Sequence, residues 1–335
     1  MMRNYNSLEQ RVTAEYLDTF PAFVPATDAP VDAAAQRDFY ELMLRLFRLL
    51  YEDPALLVPK LHEDDSFPTR YKTGYGKPEL QSDLLKCRKA INDLLKAMYL
   101  LGQGAEVKLN KRQKTILTKL DVDLTALPPA WVWMATRPEA DQIAFAFCLF
   151  DRTHCYAAEV YARLLGETPF RKLLDHLQEL GYLLRDQYNT EWPDYRLMLS
   201  VYHPGWSPDP PALGYEYKIK HTGVAAQYDC CIREPVSIGL CIPGGMKPWL
   251  ERFEAMDPAL QAFVAERTKQ CDQCRYCVQT DKTGKRPLAF VPVSHAGETL
   301  QLCPHFPGYR YCWNALDDGI VEQIMAFVTF MDAYR

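Results

Sequence analysis

The sequence CDQCRYC at residues 271–277 and the sequence LCPHFPGYRYCW at residues 302–313 decide how the C-terminal part of this chain folds. These two stretches contain five of the eleven cysteines, namely Cys271, Cys274, Cys277, Cys303 and Cys312. A C-x2-C-x2-C run lets a tight turn bring two or three thiolates into one coordination sphere, a geometry that both zinc and iron use. The pattern therefore predicts a cysteine-rich metal module over residues 271–312.

Zinc is the predicted metal, because four thiolates close a tetrahedral shell and make a structural site. Cys271, Cys274 and Cys303 are the first predicted ligands, while Cys277 and Cys312 compete for the fourth position and His305 is a substitute for one thiolate. Strand-like sequence at residues 287–293 and 299–302 predicts a hairpin or short sheet that folds the later cysteines back onto the first. Zinc in such a site contributes on the order of 10 kcal/mol to folding.

An iron–sulfur cluster is the alternative occupant, since C-x2-C-x2-C with a remote Cys-Pro is similar to the ligand run of bacterial ferredoxins. The sequence departs from that pattern, because Cys303-Pro304 lies far from the triplet and a second cluster motif is absent. Free or disulfide-bonded cysteines without metal are the third interpretation.

The composition is that of an ordinary globular protein of 335 residues, enough for two or three domains. The N-terminal sequence MMRNYNSLEQ lacks an apolar signal region, and the longest apolar run, residues 143–150, is too short to span a bilayer. Eleven cysteines without a signal peptide fit a reducing compartment. We therefore expect a cytoplasmic protein that does not insert into a membrane.

Hydrophobic periodicity predicts an α+β chain in three parts: a helical region at 1–127, a helical domain at 128–203 and an α+β domain at 204–335. Long amphipathic helices are predicted at residues 33–52 and 77–101. In the C-terminal part, alternation at residues 215–220 and further strand-like runs predict an antiparallel sheet, covered by helices near 248–256 and 258–269 and followed by a closing helix at 317–334.

The middle region has helical patterns at 139–151, 154–165 and 168–180, then strand patterns at 182–184 and 195–202. This order resembles a winged helix-turn-helix over residues 138–203, a resemblance that implies a third helix in the DNA major groove. The exposed positions of residues 167–186 carry three basic and four acidic side chains, however, and a net charge of −1 disfavours contact with phosphates.

The most basic part of the chain is residues 86–119, where nine basic side chains against two acidic ones give +7 in a protein whose net charge is −5. One interpretation is a surface for nucleic acid or phosphate. The other is an ordinary solvated helix face, for which the acidic residues Glu63, Asp64 and Asp65 are a candidate partner.

The remaining candidate site is a small-molecule pocket at the mouth of the sheet, lined by His203, Trp206, Tyr215 and Tyr217. The sequence lacks the common catalytic zinc, nucleophile-elbow and phosphate-loop motifs. We therefore predict a non-enzymatic, zinc-stabilised binding or regulatory protein that recognises a small molecule or a protein partner, with transcriptional regulation and nucleic-acid binding less well supported. The alternative is a redox enzyme that uses the Cys271 to Cys312 cluster.

Overall fold

The structure is a computed structural model that describes residues 7–57, 79–138, 142–188, 197–204, 216–221, 236–242, 245–272, 289–305, 310–313 and 315–334. Its α-helices are α1 (Leu8–Asp18), α2 (Ala33–Glu52), α3 (Glu79–Gly102), α4 (Lys111–Lys119), α5 (Pro129–Thr136), α6 (Gln142–Ala146), α7 (Tyr156–Leu165), α8 (Glu167–Glu179), α9 (Lys247–Leu250), α10 (Pro258–Arg267) and α11 (Asp318–Ala333). Its strands are β1 (Leu183–Tyr188), β2 (Leu197–Tyr202), β3 (Glu216–His221), β4 (Val236–Cys241), β5 (Val291–His295), β6 (Glu298–Leu302) and β7 (Arg310–Trp313). This mixture of helices and antiparallel strands confirms the predicted α+β class.

The chain divides into two compact units. Unit 1 contains Met1–Leu164, Arg185–Leu199 and Lys220–Val236, and unit 2 contains Leu165–Leu184, Ser200–Ile219 and Ser237–Arg335. The predicted boundaries after residues 127 and 203 remain a prediction. Among the described residues, none of the helices combines the length and the apolar composition that crossing a bilayer requires.

Helix α2 is the centre of the unit 1 core. Its bounds agree with the predicted ones, and the apolar residues that recur every three or four positions are buried as expected: Phe39, Leu42, Met43, Leu46, Phe47 and Leu50. Asp32 starts the helix by accepting a hydrogen bond from the Ala35 N–H. Helix α1 packs on this apolar face, where the Tyr16 ring stacks on Phe47 with 5.4 Å between centroids. Burial of this continuous face stabilises both helices.

Helices α3 and α5 approach each other closely at Gly102. A Cβ atom at that position would lie 2.6 Å from the Ala135 Cβ and 2.7 Å from the Trp131 Cδ1. The Trp131 ring is fully buried, and its indole N–H donates to the Met98 carbonyl at 2.9 Å. The large indole therefore fills the space that the glycine leaves open, while its polar N–H stays satisfied.

Helix α6 is much shorter than the predicted helix at 139–151. It ends at Ala146, and Cys148 adopts a left-handed backbone with φ of 53°. The buried Arg137 guanidinium donates to the carbonyls of Leu149 and Phe150 at 2.7 and 2.9 Å. Residues 143–150 are buried, as the apolar run predicts. However, the buried Arg137 side chain donates hydrogen bonds to backbone carbonyls of residues that periodicity alone would assign to the helix.

In unit 2, helix α8 packs against α11. The apolar stripe of α8 is buried at Phe170, Leu173, Leu174 and Leu177, in agreement with the prediction. Polar contacts border the same pair of helices: Lys172 lies 3.1 Å from Glu322, and His176 Nε2 lies 3.1 Å from the Thr329 hydroxyl. The predicted closing helix is thus the partner that buries part of α8.

Two antiparallel sheets contain the described strands. The larger sheet has the order β1-β2-β3-β4-β7, and Gly239 of β4 lies opposite Cys312 of β7. The smaller sheet is the hairpin of β5 and β6, in which Val291 lies opposite Leu302. Ala296 and Gly297 form its two-residue turn, both with positive φ, as a type I′ turn requires. The hairpin predicted within the cysteine-rich module is therefore present.

Candidate functional site

The segment that follows α10 pairs with strand β6 and brings two predicted metal ligands onto one face. Gln270 lies opposite Leu302 in an antiparallel bridge. The Cys271 N–H donates to the Gln301 carbonyl at 2.7 Å, and the Cys303 N–H donates to the Lys269 carbonyl at 2.8 Å. Since side chains alternate along extended chain, Cys271 and Cys303 lie on the same face as diagonal neighbours. Such neighbours have Cβ atoms about 7 Å apart, which two thiolates can close onto one ion.

Cys312 belongs to β7, in which the neighbouring Tyr311 and Trp313 rings face a helix of unit 2. The rings of Tyr311 and Trp313 both pack on Phe263, at 5.5 and 6.2 Å between centroids. The Tyr311 hydroxyl also lies 2.8 Å from the Thr268 hydroxyl. Alternation along β7 directs the Cys312 side chain to the opposite face of the sheet. Cys312 is half-buried there and is not part of the face shared by Cys271 and Cys303.

Cys274 and Cys277 lie outside the described residues, so the predicted ligand set is only partly visible. Within the described part of the chain, Cys271, Cys303 and Cys312 are free thiols, and no three cysteine, histidine or acidic side chains converge on one point. His305 is exposed after β6. Lys269 lies next to this face and contacts Asp272 at 2.8 Å. A complete site in this position requires ligands from residues 273–288.

Of the four side chains predicted to line the small-molecule pocket, the structure describes that of His203. The His203 ring packs edge-on against the Tyr182 ring at 5.2 Å, and the Tyr182 hydroxyl donates to Asp332 at 2.7 Å. Trp206 and Tyr215 lie outside the described residues, as does the side chain of Tyr217 within β3. His203 therefore packs against an aromatic residue, Tyr182, which follows α8 in the sequence. The pocket itself remains a prediction.

Asp186 is a structurally important residue that sequence patterns did not indicate. Its carboxylate, on β1, accepts hydrogen bonds from the Tyr156 and Ala157 N–H groups at 3.1 and 2.8 Å, and so caps the start of α7 from 29 residues away. Burial raises the pKa of Asp186 above its usual value, and these two hydrogen bonds oppose that rise. The one indication in the sequence was indirect: α7 begins after Cys155, and cysteine is a poor N-cap residue.

The cysteines near His154 are not activated nucleophiles. Burial, and next the nearby Asp186 carboxylate, raise the pKa of Cys155 to about 12, and burial alone raises the pKa of Cys148 well above its usual value. The Cys155 thiol lies 3.5 Å from Asp186, whereas His154 Nε2 lies 3.3 Å from Glu159. A thiol with a high pKa holds its proton at neutral pH, so this cluster is unsuited to thiolate chemistry.

The basic segment 86–119 divides into buried and exposed cations. Arg88 is buried and lies 2.7 Å from the Glu15 carboxylate, so eight basic side chains less two acidic ones leave +6 for the surface. Part of this charge lies on α4, a helix that sequence periodicity did not predict. The outer face of α4 lines a groove of about 510 Å³ formed by Lys111, Lys114, Thr115, Thr118 and Lys119.

A second groove, of about 630 Å³, runs along α8 and includes Met325 of α11. Its cations are paired: Arg171 lies 3.0 Å from Glu167, and Lys172 lies 3.1 Å from Glu322. Asp175 and Glu179 also line this groove. The mixed, largely compensated charge gives α8 little attraction for phosphates.

No protein-family profile, curated protein or solved structure matches this chain.

Proposed function

We propose that this chain is a cytoplasmic, zinc-stabilised binding or regulatory protein. The observation that carries the proposal is the bridge between Gln270 and Leu302, which sets Cys271 and Cys303 on one face although 31 residues separate them in the sequence. Two thiols held in this way at the base of a C-x2-C-x2-C run supply half of a tetrahedral shell. A site closed by four thiolates leaves no open position for water, so its role is structural.

Cys271, Cys274, Cys277 and Cys303 are the proposed ligands. The orientation of β7 favours Cys277 over Cys312 for the fourth position, because Tyr311 and Trp313 occupy the side of the strand that faces Phe263. When bound, zinc would tie the end of α10 to the β5–β6 hairpin. The chain itself contributes the backbone hydrogen bonds between residues 269–271 and 301–303, which hold the thiols of Cys271 and Cys303 on one face before the ion binds.

Recognition of a small molecule or protein partner is the proposed use of this stabilised part of the chain, with His203, Trp206, Tyr215 and Tyr217 as the proposed pocket. The order of α6, α7, α8, β1 and β2 supports a winged-helix-like arrangement over residues 138–203 as a second proposal. The compensated charge on α8 supports a role for that helix in packing rather than in DNA contact.

Elemental analysis of the purified protein, together with its visible spectrum, tests the proposal. We expect about one zinc per chain and a colourless solution. Cys271→Ser and Cys303→Ser should each lose most of the metal, while Cys312→Ser should retain it. Cys155→Ser is the matched control, because that cysteine lies in unit 1 beside Asp186.

Iron with sulfide and absorption near about 400 nm would replace the proposal with the redox-enzyme alternative. Metal-free protein would remove the zinc proposal altogether. Retention of zinc in Cys303→Ser with loss in Cys312→Ser would show that the ligand assignment is wrong.

A further inference from the structure

The outer face of α4 is a basic surface of regular construction. Lys111, Lys114, Thr115, Thr118 and Lys119 follow the i, i+3, i+4, i+7, i+8 spacing of one helix face, and they line a single groove about 12 Å long. The opposite face is buried through Gln113, Ile116 and Leu117. The sequence from Val107 to Lys119 contains no acidic residue, so no side chain within the helix neutralises the lysines.

Several neighbouring cations already have a structural role, which Lys111 and Lys114 of α4 do not share. Arg88 pairs with Glu15, and Arg112 donates to the Leu57 carbonyl at 3.1 Å. Lys119 lies 3.6 Å from Asp53 at the edge of the groove. Within the described part of the chain, Lys108, Lys111 and Lys114 have no acidic partner, and all three are exposed. Their charge is therefore available to a molecule outside unit 1.

The backbone at the start of α4 is already capped by its own side chains. The Asn110 side chain accepts from the Gln113 N–H at 2.9 Å, and the Gln113 side chain accepts from the Asn110 N–H at 3.0 Å. This capping box occupies N-terminal amides that would otherwise attract an anion. An anionic partner would thus contact the lysine and threonine side chains along the helix rather than its N-terminus.

We propose that this face of α4 binds the phosphate backbone of double-stranded DNA without reading its sequence. Lysine and threonine side chains are common phosphate ligands, and a duplex presents one negative charge per about 1.7 Å of its axis. Helix α4 carries no aromatic residue, whereas surfaces for single strands stack bases on aromatic rings. The proposal does not depend on zinc, since α4 belongs to unit 1 and the proposed ligands lie in unit 2.

The competing occupant is the chain's own acidic sequence Glu63, Asp64 and Asp65. The described chain stops at Leu57, which Arg112 contacts, and Glu63 follows six residues later. Six extended residues span at most about 20 Å, so these carboxylates are able to reach α4. Their three charges equal those of the available lysines Lys108, Lys111 and Lys114, so the test includes a variant that removes the acidic side chains.

Fluorescence anisotropy with a labelled duplex of arbitrary sequence, measured across a salt series, tests the proposal in the full chain. We expect salt-sensitive binding by the wild type. The double variant Lys111→Gln, Lys114→Gln should bind at least about tenfold more weakly at low salt and lower the slope of log K against log salt by about 2. The matched control is the double variant Lys172→Gln, Lys247→Gln, which removes the same charge from exposed positions of unit 2. This control should bind the duplex as the wild type does.

Four results would overturn the proposal. One is the absence of wild-type binding at about 50 mM salt, where phosphate contacts are strong. Another is an equal loss in both double variants, which would indicate an effect of net charge alone. The third is binding that is seen only in the triple variant Glu63→Gln, Asp64→Asn, Asp65→Asn. That result would identify the acidic sequence as the natural occupant of this face of α4. The fourth is tighter binding to a single strand, which would contradict the duplex assignment. Circular dichroism of each variant checks that it is folded.

Discussion

The buried ion pair between Arg88 and Glu15 shows how much the surroundings of one residue change its role. The guanidinium and carboxylate are 2.7 Å apart, with exposed side-chain fractions of 2% and 8%. One residue later in α3, the Lys89–Asp93 pair has a similar distance of 2.9 Å but is 65% and 52% exposed. Because water screens the second pair and not the first, only the first should contribute strongly to the stability of unit 1 when one partner is removed.

Glu15→Gln should destabilise the protein by about 3 kcal/mol, because it removes the carboxylate of a buried ion pair with Arg88. Asp93→Asn, on the exposed pair, should change the free energy of unfolding by less than about 0.5 kcal/mol. Urea denaturation of both variants measures the difference. The double variant Glu15→Gln, Arg88→Met should be more stable than Glu15→Gln alone, since it also removes the buried Arg88 charge. Equal stability of those two variants would show that lost packing, and not the buried charge, causes the effect.

The contact between α3 and α5 depends on the absence of a side chain at Gly102. An added methyl group would lie within 2.6 to 2.9 Å of Ala135 and of two atoms of the Trp131 ring. Gly102→Ala should therefore cost about 1 to 3 kcal/mol through overpacking, although alanine favours helices more than glycine does. Thermal unfolding, followed by circular dichroism, measures the loss.

Gly319→Ala is the matched control, because Gly319 lies in α11 with ordinary space around its Cβ position, the nearest atom being 3.4 Å away. Helix propensity alone applies there, and we expect stabilisation of up to about 1 kcal/mol. Destabilisation by both substitutions would show that neither effect depends on the contact with Trp131.

Elements with a long, regular apolar pattern could be predicted from the sequence, and elements defined by tertiary contacts could not. Helix α2 has the predicted bounds because seven of its residues face one core. Helix α6 is shorter than predicted because the chain turns at Cys148, whose φ is positive, and Arg137 bonds the carbonyls beyond that turn. Helix α4 was missed because lysines and threonines hide its short apolar face. In the candidate metal site, the described residues place Cys271 and Cys303 on one face, while the full ligand set predicted from spacing stays a prediction. The face occupied by Cys312 depends on how β7 pairs with β4, which spacing does not reveal.

At the scale of the whole molecule, the proposed zinc and the large aromatic core lie in different compact units. Unit 1 buries Phe39, Phe145 and Trp131 against one another, with ring centroids 5.2 to 5.9 Å apart, whereas Cys271 and Cys303 belong to unit 2. A structural ion stabilises the elements that it ties together, because its binding free energy becomes folding free energy only for them. The effect of removing zinc should therefore be regional.

Chelation of the metal should raise amide hydrogen exchange in β5, β6 and the residues after α10, while α2, α3 and α5 keep their protection. Hydrogen-exchange mass spectrometry of the full chain, with and without chelator, resolves these peptides. Cys303→Ser should reproduce the exchange pattern of the chelated wild type, and chelator should then have no further effect. A uniform rise across both units would mean that the chain unfolds as one cooperative body, and an unchanged hairpin would mean that the backbone ladder between residues 269–271 and 301–303 holds without an ion. Only exchange confined to unit 2 fits an ion that stabilises the region around Cys271 and leaves the helical core independent of it.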